Sequence, residues 1–439
     1  MRYASAEVRK QFFIDMFTRD ISLEDCVLDL IDNSLDSYLL KHQISISGLI
    51  FGPNGNGAGR QTGAINVECS DRQIKIADSC GGISRKQAME EVFRFGPDED
   101  GHTGKLGAYG VGLKRALFKI GNKFHIVSKT ATEGFEVVLK VSEWAKEKDW
   151  KIPVTFIDGA KSENTAGTSI TITELHPEVG LRIKEGGVPA NMLRDAATTY
   201  PYFLRECVTL RINGNDVLPE RIPLGERDGV VKSANEKFDQ SGVRVNLVAT
   251  IAPGRRTMEQ AGWYILCNGR AVVRANKDDL TGWGDEVGSF QPKHRSFVGL
   301  ASFDSDNPLS LPWTTTKRDI NRESSVFIRA RGLMLAMSKP ILTFLNSQYS
   351  SDPNAEVGDI RDAVEGVTEV PFRDIASRPS SGFSYTAPSK KEKKTARVAF
   401  DASLVSLDKV RRHLRRPSLS PSEVGKLTFA HYVKTECPD

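Results

Sequence analysis

The stretch Leu23 to Ser37, LEDCVLDLIDNSLDS, constrains the fold more than any other part of the chain. Ser22 stands three residues before Asp25 in an S-x-x-D cap, and Leu23, Val27, Leu30, Ile31 and Leu35 recur at helical spacing. The pattern predicts a buried amphipathic helix. Asp29, Asn33 and Asp36, at i, i+4 and i+7, fall along one edge of it. A carboxylate and a carboxamide one turn apart can accept a proton from water and hold a hard metal ion through an amide oxygen. The same acids also suit a helix with a merely solvated polar face, so partners elsewhere in the chain must decide.

The chain of 439 residues is long enough for about three domains. Six cysteines, at 26, 69, 80, 207, 267 and 437, form no CxxC pair, which argues against a zinc site and against a secreted disulfide framework. The N-terminus lacks a long apolar run and nothing approaches the ~18 apolar residues of a membrane span, so a soluble, cytoplasmic protein without membrane contact is expected. Charge is uneven. Residues 388–439 hold 12 Lys+Arg against 6 Asp+Glu, net +6, which leaves the first 387 residues at −2 of the total +4. The basic excess lies in the tail, where a polyanion would be met.

In chain order, residues 6–18 read as a short helix, and Ala64–Cys69 and Gln73–Ala77 alternate as strands. The second strand runs into Asp78-Ser-Cys-Gly-Gly, where the acid can accept from an exocyclic amine and Gly81 and Gly82 let backbone approach a flat ligand. A plain strand-to-helix turn is the competing reading. Further on, LGAYGVGLKRA spans 106–116, with Gly107, Gly110 and Gly112 ahead of a helix, an arrangement that exposes backbone N–H groups to phosphate, and Lys114 supplies charge. It matches neither a P-loop nor a Rossmann turn. Strands follow at Lys123–Lys129, Phe135–Val141, Val154–Ile157 and Ser169–Thr173, the last opened by Gly167-Thr168, whose hydroxyl can share a base with Asp78.

An Asp-x-x-x-Asn helix, a strand-terminal DxxGG, a GxxGxGxK loop and a GT strand, in this order, closely resemble the GHKL or Bergerat-fold ATPases. That family includes DNA gyrase, large heat-shock chaperones, histidine kinases, MutL and MORC proteins; the loop wording is most similar to the chaperone and MORC versions, and the motif style as a whole to the MORC, chaperone and MutL types. The resemblance covers residues 1–180 and implies an α/β, two-layer sandwich binding ATP with Mg2+. It implies Asn33 as magnesium ligand and Asp78, Gly82 and Thr168 around the adenine. It also implies Gly107, Tyr109, Gly110, Val111, Gly112 and Lys114 in the phosphate loop, and Asp29 as general base. The family's usual glutamate is here one methylene shorter, which leaves either a slow ATPase or a nucleotide-binding switch.

Residues 188–347, with hairpins turning on Asn213-Gly214 and Asn268-Gly269, strands at Val243–Ile251 and Trp263–Val273, and a helix Ser325–Leu345 interrupted at Pro340, resemble a transducer-like α/β domain. The resemblance implies a lysine that reaches back to the terminal phosphate, and Lys317 in PWTTTKRDIN is its candidate, against an ordinary surface lysine. Residues 348–394 read as a flexible linker. Residues 395–437 resemble a ribbon-helix-helix module or a helical dimerisation hairpin. The expectation is an ATP-gated homodimer that clamps or remodels a complex, with duplex DNA met through the basic tail. Family analogy adds a partner nuclease or other protein and a role in bacterial antiviral defence. The rival is a non-hydrolysing nucleotide-sensing DNA-binding scaffold.

Overall fold

The computed structural model describes residues 8–51, 63–96, 106–107, 110–254, 257–284, 287–349, 357–387 and 401–437. The chain divides into two compact units, Met1–Ala387 and Pro388–Asp439.

The first unit begins with a helix Lys10–Thr18 and the long helix Leu23–Lys41. Ser22 caps the latter as expected, its Oγ accepting from the Asp25 amide at 3.1 Å. Eight strands then make one mixed sheet: β1 (Gly63–Cys69), β2 (Gln73–Asp78), β3 (Gly121–Lys129), β4 (Glu133–Lys140), β5 (Thr155–Asp158), β6 (Gly167–Leu175), β7 (Val208–Ile212) and β8 (Asn215–Asp216), in the order β5-β4-β3-β6-β2-β1-β7-β8. Leu28, Leu30 and Ile31 are buried, as are Ile65, Ile74 and Ile172 of the sheet, so the long helix is enclosed in the core rather than laid on its surface.

The hairpin at Asn213-Gly214 belongs to this sheet. β7 pairs in parallel with β1, Gly63 opposite Val208 and Val67 opposite Ile212, so the layer does not stop at residue 180. Helices Val188–Thr199 and Pro201–Glu206 supply the crossover that a parallel pairing needs.

A second sheet carries β9 (Gly225–Glu226), β11 (Ala234–Gln240), β12 (Val243–Ile251), β13 (Gly262–Cys267), β14 (Arg270–Asn276), β15 (Phe297–Asp304) and β16 (Thr368–Glu369), with a separate pair between β10 (Val231–Lys232) and β17 (Ser384–Tyr385). β15 pairs in parallel with β13 and antiparallel with β12. All eight of its residues are buried. A strand covered on both faces shows no alternation, which is why periodicity does not find it.

The helix Ser325–Ser347 runs through Pro340 without interruption. Proline removes one backbone donor, but a buried face from Val326 to Leu345 pins the helix on both sides of it. The expected linker is also corrected: helices Val357–Glu365 and Phe372–Ala376 and strands β16 and β17 lie within residues 348–394, with Ala363 and Ile375 fully buried. These pieces are too short to leave a period, yet their few apolar side chains are enough to dock them.

In the second unit, helices Leu404–His413 and Pro421–Glu436 form a hairpin, the latter opened by a capping box between Ser420 and Glu423. Of the strand expected at Ala396–Asp401, residues 396–400 lie outside the described residues and Asp401 is not extended into a ladder. Among the described residues, no helix is long and apolar enough to cross a membrane.

Candidate functional site

One cleft in the first unit collects residues from the long helix, the β2 end, the glycine loop, β6 and the Trp313–Ile320 turn. Its lining contains Asp29, Asn33, Asp78, Gly107, Gly110, Val111, Gly112, Lys114, Thr168 and Lys317. Motifs up to 288 positions apart in the chain therefore converge on one space. Tyr109 lies outside the described residues.

At one end stands Asp78. Its Oδ2 accepts from Ser34 Oγ at 2.8 Å and its Oδ1 from the amides of Cys80 at 2.9 Å and Thr168 at 3.3 Å. Burial pushes its carboxyl above the usual carboxylate range, and those three donors only partly offset the rise. Thr168 Oγ1 shares a 2.8 Å bond with Ser128 Oγ, which also accepts from the Ile83 amide at 2.8 Å. The glycines here are steric requirements. A Cβ on Gly82, at φ +73°, would run into the Lys129 carbonyl, and one on Gly167 into the Asp78 carbonyl. Gly82 shapes this end through packing and does not itself line the cleft.

The glycine loop is tied down by Asp36, whose two oxygens accept from the Leu106 amide at 2.9 Å and the Gly107 amide at 2.8 Å. Burial pushes the Asp36 carboxyl up to about 6 despite those bonds. After Gly110 at φ +59° the loop enters the helix Gly112–Ile120, where a Cβ on Gly112 would sit 3.2 Å from Asp29 Oδ2. The loop helix thus packs directly against the acid. Lys114 lines the cleft, but its ammonium donates to the carbonyls of Val92 at 2.9 Å and Arg94 at 2.6 Å. Its charge is satisfied at the C-terminal end of the Ala88–Val92 helix instead of standing free for a phosphate.

The far end is a buried ionic cluster. Asp29 Oδ2 meets Arg115 Nη2 at 2.7 Å, and its Oδ1 lies 3.7 Å from Lys317 Nζ. Lys317 donates to Asp32 Oδ2 at 2.7 Å, while Asp32 Oδ1 takes Arg270 Nε at 3.1 Å and the Tyr200 hydroxyl at 2.7 Å. Burial alone would raise the Asp32 carboxyl, but Arg270 and Lys317 outweigh it and hold it low. The lysine sits on a tight turn, its own amide bonded to the Thr314 carbonyl at 2.9 Å and its backbone at φ +54°. Neighbouring Arg318 pairs with Asp25 on the long helix, and Arg270 Nη1 donates to the Lys317 carbonyl at 2.7 Å. Lys317 is accordingly buried at the cleft, not an ordinary surface lysine.

Asn33 lies between the two ends on the cleft wall, and its Nδ2 is buried without a partner among the described residues. The orphaned Nδ2 is a donor and suits a phosphate oxygen; magnesium would be held through the carboxamide oxygen of Asn33, and because it keeps waters and substrate oxygens it needs few other protein ligands. Reasoning from sequence missed Asp32, Arg115, Tyr200, Arg270 and the Ser34–Asp78 bond. Asp32 and Arg115 stand inside motifs already singled out, and an arginine after Lys114 was the available signal. Nothing in the chain pattern around Tyr200 or Arg270 marks them.

Residues 21–168 match the model of the family described as histidine kinase-, DNA gyrase B- and HSP90-like ATPases. A comparison with curated proteins finds no match. The match spans the cap of the long helix through Thr168, the segment that supplies the walls of the cleft apart from Ile170 and the Thr315–Lys317 turn. With its mixed α/β layering, this part of the chain is a GHKL-superfamily ATPase domain, and ATP binding is the activity that membership supports.

Proposed function

We propose that the protein binds magnesium-ATP in this cleft and hydrolyses it slowly, as the nucleotide-gated switch of a cytoplasmic homodimer that clamps or remodels a complex. The observation that carries this reading is the meeting of Asp29 and Lys317, 288 residues apart, at the end of the cleft opposite Asp78. Ser34 marks the base end through its bond to Asp78, and Asp29 lies five residues earlier on the same helix, about 7.5 Å along its axis. A nucleotide with its base on Asp78 and Thr168 would direct its phosphates past Asn33 and the Gly107–Gly112 loop toward Asp29.

There Asp29 would orient and deprotonate the attacking water, and Lys317 would meet the terminal phosphate. Magnesium, held by Asn33 and phosphate oxygens, supplies charge neutralisation. Gly112, lacking a Cβ, lets the loop helix seat close against the short Asp29 side chain. Its bond to Arg115 ties up one oxygen, and this specific contact favours a second reading, a nucleotide-binding scaffold with no turnover.

The basic second unit suits contact with duplex DNA, and its exposed apolar residues Leu404, Val405, Phe429 and Tyr432 suit pairing with a second copy. A DNA-related or antiviral defence setting, with a nuclease or another protein as partner, is the pathway this combination suits. The test is steady-state phosphate release. Wild type should turn over, and Asp29→Asn should bind ATP while releasing phosphate about 10²-fold more slowly. Nucleotide binding with no turnover in wild type or in Asp29→Glu establishes the scaffold reading instead.

A further inference from the structure

Arg115 is the strongest unassigned feature of the molecule. It is only 6 % exposed, it lines the cleft, and its Nε is buried without a hydrogen-bond partner among the described residues. Nη2 holds Asp29 at 2.7 Å and lies 3.5 Å from the Thr315 carbonyl. An orphaned guanidinium N–H in a buried site is costly unless a ligand completes it. Arg115 stands at i+3 from Gly112, on the face of the loop helix that packs against Asp29. Lys114, one position earlier, is turned to the Val92 and Arg94 carbonyls. Charge counting agrees: the connected cluster holds Arg115, Arg270 and Lys317 against Asp29 and Asp32, three cations to two acids. Asp36, the other nearby acid, is engaged by the loop amides.

We infer that Arg115 is a terminal-phosphate contact supplied from within the ATPase domain, so that the cation the glycine-loop helix offers to ATP is Arg115 and not Lys114. The inference rests on the ATP-binding reading of the cleft. A planar fork suits phosphate oxygens. Arg115 would keep one N–H on Asp29 and place Nε on the third phosphate, which makes the site selective for a triphosphate over a diphosphate. Its hold on Asp29 would then report phosphate occupancy to the acid directly.

Calorimetry with magnesium and either ADP or the non-hydrolysable β,γ-imido analogue of ATP tests this on the full chain. Arg115→Gln should weaken the triphosphate by about 10- to 100-fold, the worth of a charge-assisted bond, and leave ADP within about twofold. A role confined to bracing Asp29 would shift both nucleotides alike or neither, and either result overturns the inference. Should Arg115→Gln fail to fold, Arg115→Lys decides: it keeps the cation beside Asp29 but loses the fork, and an unchanged triphosphate-to-diphosphate ratio overturns the assignment. Wild-type protein that binds neither nucleotide removes the ATP reading itself, a failure visible before any variant is made.

Discussion

Replacing Lys317 by methionine probes the join between the two sheets of the first unit. Among the described residues Asp32 Oδ2 is met by Lys317 alone, at 2.7 Å, whereas Oδ1 keeps Arg270 at 3.1 Å and Tyr200 at 2.7 Å. Removing one partner of a buried pair costs about 3–5 kcal/mol. The two donors retained on Oδ1 and the apolar bulk of methionine reduce that to about 2–3 kcal/mol. With an unfolding entropy of about 2.1 cal/mol/K per residue, the first unit of 387 residues has about 0.8 kcal/mol/K. The expected fall in its thermal midpoint is therefore about 2.5–4 °C.

The sign with pH follows from Asp32. Its folded carboxyl is held low because the attraction of Arg270 and Lys317 outweighs burial, so its contribution is present above the unfolded value of about 3.9 and lost as pH falls through the folded one. The gap between wild type and Lys317→Met should be full at neutral pH and narrow below about pH 4. Differential scanning calorimetry measures it, and a cycle with Asp32→Asn isolates the pair, with a coupling of at least about 1 kcal/mol expected. An unchanged midpoint, or strictly additive variants, would refute the ionic account of this junction.

Asp304 gives a second pH signature. Burial lifts its carboxyl to about 7 against the pull of Ser302 and Arg244, so the folded state holds a proton that the unfolded state gives up, and this group's contribution falls as pH rises from about 4 to 7. Asp304→Asn should remove that slope, read as the wild-type minus variant midpoint at pH 5 and pH 7.5; parallel profiles would exclude a protonated Asp304. For the tail, truncation at residue 387 should leave nucleotide binding intact and abolish retention on duplex DNA. The full chain's affinity should fall with salt by about 0.9 log units per neutralised phosphate and log unit of salt; equal retention by both forms would exclude the tail as the DNA contact.

The sequence by itself determined the local pieces. The Ser22 cap, the polar edge of Asp29, Asn33 and Asp36, the Asp78 strand end, the glycine loop and the turns at Asn213-Gly214 and Asn268-Gly269 are short-range signals, set by i to i+4 spacing, by positive φ and by capping chemistry. Only the tertiary structure decided what those pieces do to one another. Periodicity is blind to a strand buried on both faces, so β15 escaped it, and a parallel partner such as β7 is set by a crossover of many residues. Adjacent Lys114 and Arg115 carry the same charge in sequence, yet the helix turns one toward the Val92 and Arg94 carbonyls and the other toward Asp29. Asp32 reads as one more acid on the helix until the fold brings Tyr200, Arg270 and Lys317 around it. Burial raises the cost of an unpaired charge so far that the long-range partners, which no local pattern records, determine which carboxylates are structural and which face the ligand.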